Sequence, residues 1–318
     1  MVTIKEMAQE LGVSTTTVSN VIHGKTKEVS PANIERIQKI LKKYDYTPNI
    51  NARNLASKRS KIIGLLIKSK QNKIVNRFED PFIGGILGAI ERHVRQKGYY
   101  LMVYAVDDVH QVQQFTMSWN MDGLITSGFV EGDIRYLKER FKNPIAIIDD
   151  YDTNGLGNCA NIRIEDEQAE YLLAKYVISC GHRKLAFLAD NLVNLDKIRF
   201  QGFCRALKEA NIPVSREENF IQIYASDAGE PQNMDEIYEK SFSYTALLCA
   251  SDYYAVHIEN MLLDRGRKIP EEISIAGFDD VPISRIVRPA LTTVRQDIQA
   301  KGIAAVEELL KLIEGESE

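Results

Sequence analysis

Residues 3–22 constrain the fold more than any other stretch of this 318-residue chain. They read Thr-Ile-Lys-Glu-Met-Ala-Gln-Glu-Leu-Gly-Val-Ser-Thr-Thr-Thr-Val-Ser-Asn-Val-Ile. Thr3 caps a helix, and Glu6, three positions on, completes a capping box. Ile4, Met7, Ala8 and Leu11 then share one helical face. Gly12 ends that helix in a backbone conformation only glycine adopts cheaply. Ser14 caps a second helix whose buried stripe is Val18, Val21 and Ile22. A third helix over 31–44 starts with Ser30 as cap and Pro31 at its first position. Its Ile34, Ile37, Ile40 and Leu41 pack onto the first two, and Tyr44 and Tyr46 close the small core. Two short helices joined by a glycine turn, the second exposing small polar residues, have the geometry that enters a DNA major groove. The plainer alternative is an ordinary three-helix domain that binds no DNA.

Charge favours the first reading. Residues 1–61 carry eleven Lys or Arg against five Asp or Glu, a net of +6, while the rest of the chain is net −10. A basic head on an acidic body brings only the head to a polyanion. The next segment, Pro48-Asn49-Ile50-Asn51-Ala52-Arg53-Asn54-Leu55-Ala56-Ser57, reads either as a plain linker or as a short helix capped by Asn49. On the second reading Ala52, Leu55 and Ala56 form a small apolar face flanked by Arg53, Lys58, Arg59 and Lys61. Such a face suits insertion into a minor groove, where an apolar wedge unstacks a base step and cations hold phosphates.

From residue 62 the chain alternates short apolar runs with amphipathic segments. The expected strands are 62–67, 99–105, 122–126, 144–149, 184–189, 245–250 and 273–278. Their apolar residues are continuous, as in parallel strands buried on both faces. Helical patterns at 82–97, 165–179, 200–210 and 252–265 lie between them, so the rhythm is that of doubly wound α/β sheets. A polar break near 150–160 suggests two sheets with a cleft between them. The segment Lys68–Asp80 is polar, basic and longer than a usual strand-to-helix connection. The four cysteines are scattered, with no C-x-x-C pair, and read as reduced core residues. The longest apolar run, Ile62–Ile67, is far short of a membrane span, and the N-terminus reads as a helix-turn-helix rather than a signal peptide. A cytoplasmic protein is expected, with no cofactor, no metal and no membrane partner.

These motifs together resemble the lactose/galactose repressor (LacI/GalR) family of bacterial transcriptional regulators, from Thr3 to about Leu312. The resemblance implies an α/β chain with an all-α helix-turn-helix headpiece and a periplasmic-binding-protein-like core of two doubly wound subdomains. The expected divisions are a headpiece at 1–47, a hinge at 48–60 and a core at 61–318. Within the core, the N-subdomain takes about 61–160 and 292–318, and the C-subdomain about 161–291. Val13-Ser14-Thr15-Thr16-Thr17-Val18-Ser19 matches the family motif V-S-x-x-T-V-S. Thr15, Thr16 and Asn20 are then the base readers, with Ser14 and Ser19 on phosphates; Thr17 and Val18 read as core. Asn suits adenine, and Asn20 stands where many family members carry Arg. Asn49, Ala52, Leu55, Ala56 and Lys58 are the hinge residues toward DNA.

The same resemblance places an effector cleft. Asp80-Pro81-Phe82 is similar to the family's Asn-Pro-Phe, and Asp149 ends a strand as the family's sugar-contacting Asp does. Arg199 precedes Phe200-Gln201-Gly202-Phe203, matching R-x-x-G-[FW]. Ser251-Asp252 stands for Asn-Asp, Asp279-Asp280 lies in Gly-Phe-Asp-Asp, and Gln296 follows Pro-Ala-Leu-Thr-Thr-Val-Arg. The implied effector residues are Asp80, Phe82, Asp149, Arg199, Ser251, Tyr253, Asp279 and Gln296. Carboxylates and one Arg among aromatics suit a sugar. Asp252 has a helix-capping alternative, and Asp280 reads as a turn residue. The implied partners are operator double-stranded DNA, a sugar or sugar phosphate effector, and a second copy of the chain. Repression of a sugar-utilisation operon is the expected function; an activator, a purine sensor or a regulator with a protein co-repressor is the alternative. No catalytic residue is expected. The enzyme reading rests on Gly84-Gly85-Ile86-Leu87-Gly88, but these glycines fall in a helical stretch without G-x-G-x-x-G spacing. Gly84 and Gly88 are expected to let helices pack closely or a ligand approach.

Overall fold

The computed structural model describes residues 2–22, 24–46, 59–68, 78, 80–129, 132–150, 155–224 and 231–315. The chain divides into two compact units, Met1–Ser60 and Lys61–Glu318. The expected hinge helix and most of the Lys68–Asp80 segment lie outside the described residues. So do Asn49, Ala52, Leu55, Ala56 and Lys58.

The first unit holds α1 (Ile4–Leu11), α2 (Thr15–Ile22) and α3 (Pro31–Lys43). Its capping box forms as expected. The Thr3 backbone N–H donates to Glu6 Oε2 at 2.7 Å, and the Glu6 N–H donates to Thr3 Oγ1 at 3.3 Å. Gly12 follows α1 in the left-handed region, φ 65°. Ala8, Val18, Val21 and Ile37 form the core, with Ile4, Leu11, Ile34 and Leu41 packed around it. Tyr44 departs from expectation. Its hydroxyl donates to Glu10 Oε2 at 2.7 Å, while Lys43 holds the other oxygen at 2.7 Å. A phenol needs a partner for its O–H, and Glu10 supplies one at the edge of the core.

The second unit contains two parallel five-stranded sheets. The first lobe is built on β1 (Ile62–Lys68), β2 (Tyr100–Val106), β3 (Gly123–Ser127), β4 (Ile145–Ile148) and β5 (Cys159–Ile162), in the order β2-β1-β3-β4-β5. The second lobe uses β6 (Leu185–Ala189), β7 (Phe220–Gln222), β8 (Ala246–Cys249), β9 (Ser274–Asp279) and β10 (Thr292–Arg295), in the order β10-β9-β8-β6-β7. The continuous apolar runs follow from burial on both faces. In β1, Ile63, Leu65 and Ile67 enter one core and Leu66 the other. In β6, Leu185, Phe187 and Ala189 face one core while Ala186 and Leu188 face the other.

Among the helices, α4 (Pro81–Gln96), α5 (Val112–Trp119) and α6 (Asp133–Arg140) follow strands of the first lobe. In the second come α7 (Asp166–Ser179), α8 (Asn194–Glu209), α9 (Arg216–Asn219), α10 (Met234–Ser241), α11 (Asp252–Asp264) and α12 (Ile283–Ile286). The last helix, α13 (Ile298–Glu314), buries Ala305, Val306, Leu309 and Leu310 in the first lobe. The chain therefore crosses between lobes at 163–165 and again at 296–297. Residues 292–295, expected with the first lobe, pair with β9 in the second, because Thr292 aligns with Ala276 and Arg295 with Asp279.

Two further expectations change. Close helix packing does not use Gly84 or Gly88. A Cβ at Gly88 would meet nothing within 4 Å, whereas one at Gly302 would lie 2.7 Å from the Ala89 Cβ and one at Gly85 3.1 Å from Ile298. The α4–α13 contact rests on Gly85 and Gly302. All four cysteines are free, but Cys180 is exposed at the C-terminal end of α7 rather than in the core.

Candidate functional site

The headpiece presents one candidate surface. Ser14 Oγ accepts from the Thr17 N–H at 3.0 Å and lies 2.8 Å from the Thr17 hydroxyl, so both side chains serve the start of α2. Val18 and Val21 face the core. That leaves Thr15 and Thr16 exposed and Ser19 and Asn20 half-buried, and none of these four side chains hydrogen-bonds within the described residues. Their donors and acceptors are unspent, as a base-reading edge requires. Lys25 and Lys27 follow on the exposed surface after α2.

The second site lies where both sheets end. Asp149, after β4, and Asp279, at the end of β9, hold φ values of 59° and 119°. A non-glycine residue pays for such a backbone, and residues so held concentrate at functional sites. A polar chain joins the two aspartates. Lys301, on α13, reaches Asp149 Oδ1 at 2.8 Å and Oδ2 at 2.9 Å, and donates to Gln296 Oε1 at 2.5 Å. Gln296 Nε2 then donates to Asp279 Oδ1 at 2.6 Å. The path runs from the first lobe, through the crossover segment, to the second. Phe82 lies beside it, its ring centre 5.5 Å from Lys301 Nζ. Asn194 adds longer links across the lobes, to the Phe129 carbonyl at 3.5 Å and Asp150 Oδ1 at 3.4 Å.

Arg199 is only 3% exposed. Its Nε donates to Asp166 Oδ1 at 2.9 Å and its Nη1 to the Ala250 carbonyl at 2.6 Å. The guanidinium sits 3.6 Å over the Phe278 ring. Burial pushes the Asp279 carboxyl up to about 8, against the attraction of Arg199 and with Asp252 and Asp80 adding like charge. Burial also raises Asp149, despite Lys301 beside it. Asp252 rises to about 6 through burial, although it accepts from Thr293 Oγ1 at 2.6 Å and the Val281 N–H at 2.9 Å.

Of the expected effector residues, Asp149, Arg199, Asp279 and Gln296 converge, with Phe82 alongside. Asp80 caps α4, accepting from the Phe82 N–H at 2.9 Å, and its charge reaches Asp279. Ser251 caps α11 by accepting from the Tyr254 N–H at 3.3 Å, so its hydroxyl serves the helix start. Asp252, read as a possible cap, instead fastens β10 and the loop after β9 to α11. The Tyr253 ring packs on Tyr254 and His257. Asp280 is the expected turn residue, paired with Arg285 at 2.9 and 2.5 Å. A cavity of about 490 Å³ beside Gln296 is lined by Pro81, Gly85, Arg285, Arg295 and Asp297 among others; of the converging residues it includes only Gln296.

Sequence reasoning missed Lys301 and Asp166. Lys301 had a legible signal. It sits four and eight positions before Ala305 and Leu309, on the buried stripe of α13, where a lone lysine demands a partner. Asp166 looked like an ordinary acid in a helix first turn.

Deeper in the second lobe, Glu170 is fully buried one turn beyond Asp166, and neither carboxyl oxygen has a hydrogen-bond partner among the described residues. Burial raises it from 4.5 to about 8. The unfolded chain releases this proton first, so stability falls as pH rises between about 4.5 and 8. Glu170→Gln is expected to flatten that slope and to raise stability at alkaline pH by about 1–3 kcal/mol. Urea titrations of both proteins across the range test this, and parallel pH slopes would refute it.

Residues 3–49 match the family described as bacterial regulatory proteins, lacI family, and residues 174–318 match the periplasmic binding protein-like domain. The ribose operon repressor of Haemophilus influenzae is 30% identical over 326 residues, covering 100% of this chain and 94% of that protein. The HTH-type transcriptional repressor PurR of Haemophilus influenzae (strain PittEE) is 29% identical over 323 residues, covering 98% and 91%. The lac repressor dimer bound to operator and the anti-inducer ONPF superposes with a TM-score of 0.84 at 26% identity, covering 99% of this chain and 94% of that one.

Proposed function

Because this chain belongs to the lacI family of bacterial regulatory proteins, we propose that it represses a sugar-utilisation operon under control of a small-molecule effector. The observation that carries the DNA-binding part is the unspent polar edge of α2, Thr15, Thr16, Ser19 and Asn20, on a basic headpiece. The polar chain between Asp149 and Asp279 supports the effector part, because it spans two lobes at the carboxyl ends of parallel strands, where α/β sheets bind ligands.

In this reading a homodimer in the cytoplasm places two headpieces on a pseudo-palindromic operator. Ser19 holds a phosphate, while Ser14, also expected there, has its hydroxyl engaged at the start of α2. The hinge residues Asn49, Ala52, Leu55, Ala56 and Lys58 meet at the central minor groove, with Leu55 as the wedge. Effector bound between the lobes biases which arrangement the operator sees, a coupling of about 1–3 kcal/mol. Among the described residues no helix is long and apolar enough to cross a membrane.

Thr16→Ala and Asn20→Ala are expected to lose operator affinity while keeping their affinity for random duplex, by about 1–3 kcal/mol for each reader. Lys58→Ala should weaken both duplexes alike and shallow the salt dependence. Binding titrations on operator and random DNA across salt decide the matter. Equal losses on both duplexes for Asn20→Ala would remove its role in base reading.

A further inference from the structure

Resting on the DNA-binding reading above, we propose that Asp122 is a positioning residue for operator recognition. It holds Lys61, the first residue of the core, in a left-handed backbone and so fixes the direction in which the chain enters β1. Lys61 opens the second compact unit and stands immediately before β1. Its φ is 57°, a value that lysine rarely adopts. Residues held this way persist only where their surroundings over-determine them. Every polar part of Lys61 is held. Its N–H donates to Asp122 Oδ2 at 3.1 Å, its carbonyl accepts from the Tyr100 N–H at 2.8 Å, and its ammonium lies 4.0 Å from the centre of the Tyr99 ring. The carbonyl is placed by ψ and the side chain by its own torsions, so neither contact depends on φ. The N–H swings with φ. Its bond to Asp122 is therefore the contact that selects the left-handed form.

A strand start needs no such backbone. An extended Lys61 would begin β1 one residue earlier and keep the same bond to Tyr100. What the left-handed form changes is the path of the chain ahead of it. Taking φ from 57° to an extended value of about −120° turns everything before the Lys61 Cα by roughly 180° about the N–Cα bond. Headpieces that must meet half-sites at a set spacing lose register if that torsion is free. Asp122 is itself fixed. It is 9% exposed, its N–H donates to the Ile62 carbonyl at 2.9 Å, and the Met121 carbonyl before it accepts from Asn143 Nδ2 at 2.7 Å. It immediately precedes β3, which pairs with β4 as far as Ser127 against Ile148, and Asp149 follows. The paired strands that present Asp149 at one end thus carry, at the other, the carboxylate that sets Lys61.

The test uses the full-length protein and two DNA probes: a duplex that the unaltered protein selects from a random pool, and an unselected duplex of the same length. Urea titrations set conditions in which each variant is folded. Asp122→Ala removes the acceptor and should weaken binding to the selected duplex by roughly tenfold or more, while the unselected duplex changes by less than about twofold. Asp122→Asn keeps an acceptor oxygen and should recover most of that difference, which a role resting on buried charge would not allow. Lys61→Asn and Lys61→Val remove the same charge, but asparagine enters the left-handed region readily and a β-branched residue does not. Lys61→Val should therefore bind the selected duplex about tenfold more weakly than Lys61→Asn, and the unselected one equally. Should Asp122→Ala fail to fold, the lysine pair decides. A folded Asp122→Ala with the unaltered ratio of selected to unselected binding would overturn the proposal. Equal ratios for Lys61→Asn and Lys61→Val would do the same. A pool that yields no preferred duplex would strike the DNA-binding reading, and the proposal with it.

Discussion

Arg199→Met is expected to cost the core about 3–5 kcal/mol and to abolish its response to effector. Methionine replaces the aliphatic stem over Phe278 but not the charge. Asp166, itself 1% exposed, loses the cation 2.9 Å away, and Asp279 loses the attraction that opposes its burial. Asp279, raised by burial to about 8 with Arg199 beside it, then binds its proton more tightly still. Acids raised on folding stabilise in acid, and that stability is lost as pH rises above the unfolded value of about 3.8. Because Asp279 already holds its proton up to about 8 with Arg199 in place, the pH-dependent part of the deficit should open above that value. The headpiece, a separate compact unit with its own core, is expected to keep its fold. Denaturant titrations at two pH values measure both features. A loss below about 1 kcal/mol, the scale of an exposed pair, would show that Arg199 does not hold the second lobe together.

Gly202→Ala should be nearly as severe, at about 3 kcal/mol. A Cβ there would lie 2.1 Å from the Glu167 carbonyl oxygen, 2.9 Å from its carbon and 3.0 Å from the Tyr171 nitrogen. All three atoms are backbone, so no rotamer relieves the clash and α7 must move off α8. That movement also pulls Asp166, next to Glu167, away from Arg199. Effector response should weaken together with stability. Gly88→Ala is the control, because nothing lies within 4 Å of its Cβ. In the interior of α4 it is expected to stabilise by about 0.5–1 kcal/mol. If both alanines behave alike, the glycine of the Arg-x-x-Gly motif is not a packing device.

Gly202 shows how a motif mixes roles. The sequence marks Arg199 through Phe203 as one functional signature, yet Arg199 carries charge into the cleft while Gly202 admits a neighbouring helix. Lys301 shows the converse. It belongs to no motif, but it completes the polar chain that joins Asp149 to Asp279.

Local rules made the headpiece and the strand pattern legible. A capping box, a left-handed glycine and an apolar stripe each act within a few residues, so Thr3, Glu6, Gly12 and Ser14 could be read in place. Seven strands announced themselves through unbroken apolar runs, which burial on two faces demands of six of them; β2, at the sheet edge, carries such a run with Tyr100 and Tyr104 exposed. The strands β5, β7 and β10 did not, since they are not buried throughout and include polar residues, unlike the equally short β4 and β8. The position of β10 was decided by its pairing with β9, a contact no local pattern encodes.

The cleft divides in the same way. The sequence by itself determined which charged residues stand at strand ends, and hence that Asp149, Arg199, Asp279 and Gln296 were candidates. Only the tertiary structure decided their partners. Asp149 meets Lys301 across 152 positions and Arg199 meets Asp166 across 33, while Ser251 and Asp80 turn their oxygens to their own helix starts. Capping is set by neighbours along the chain, whereas the electrostatics of a buried charge depend on whatever the fold brings within about 4–6 Å of it.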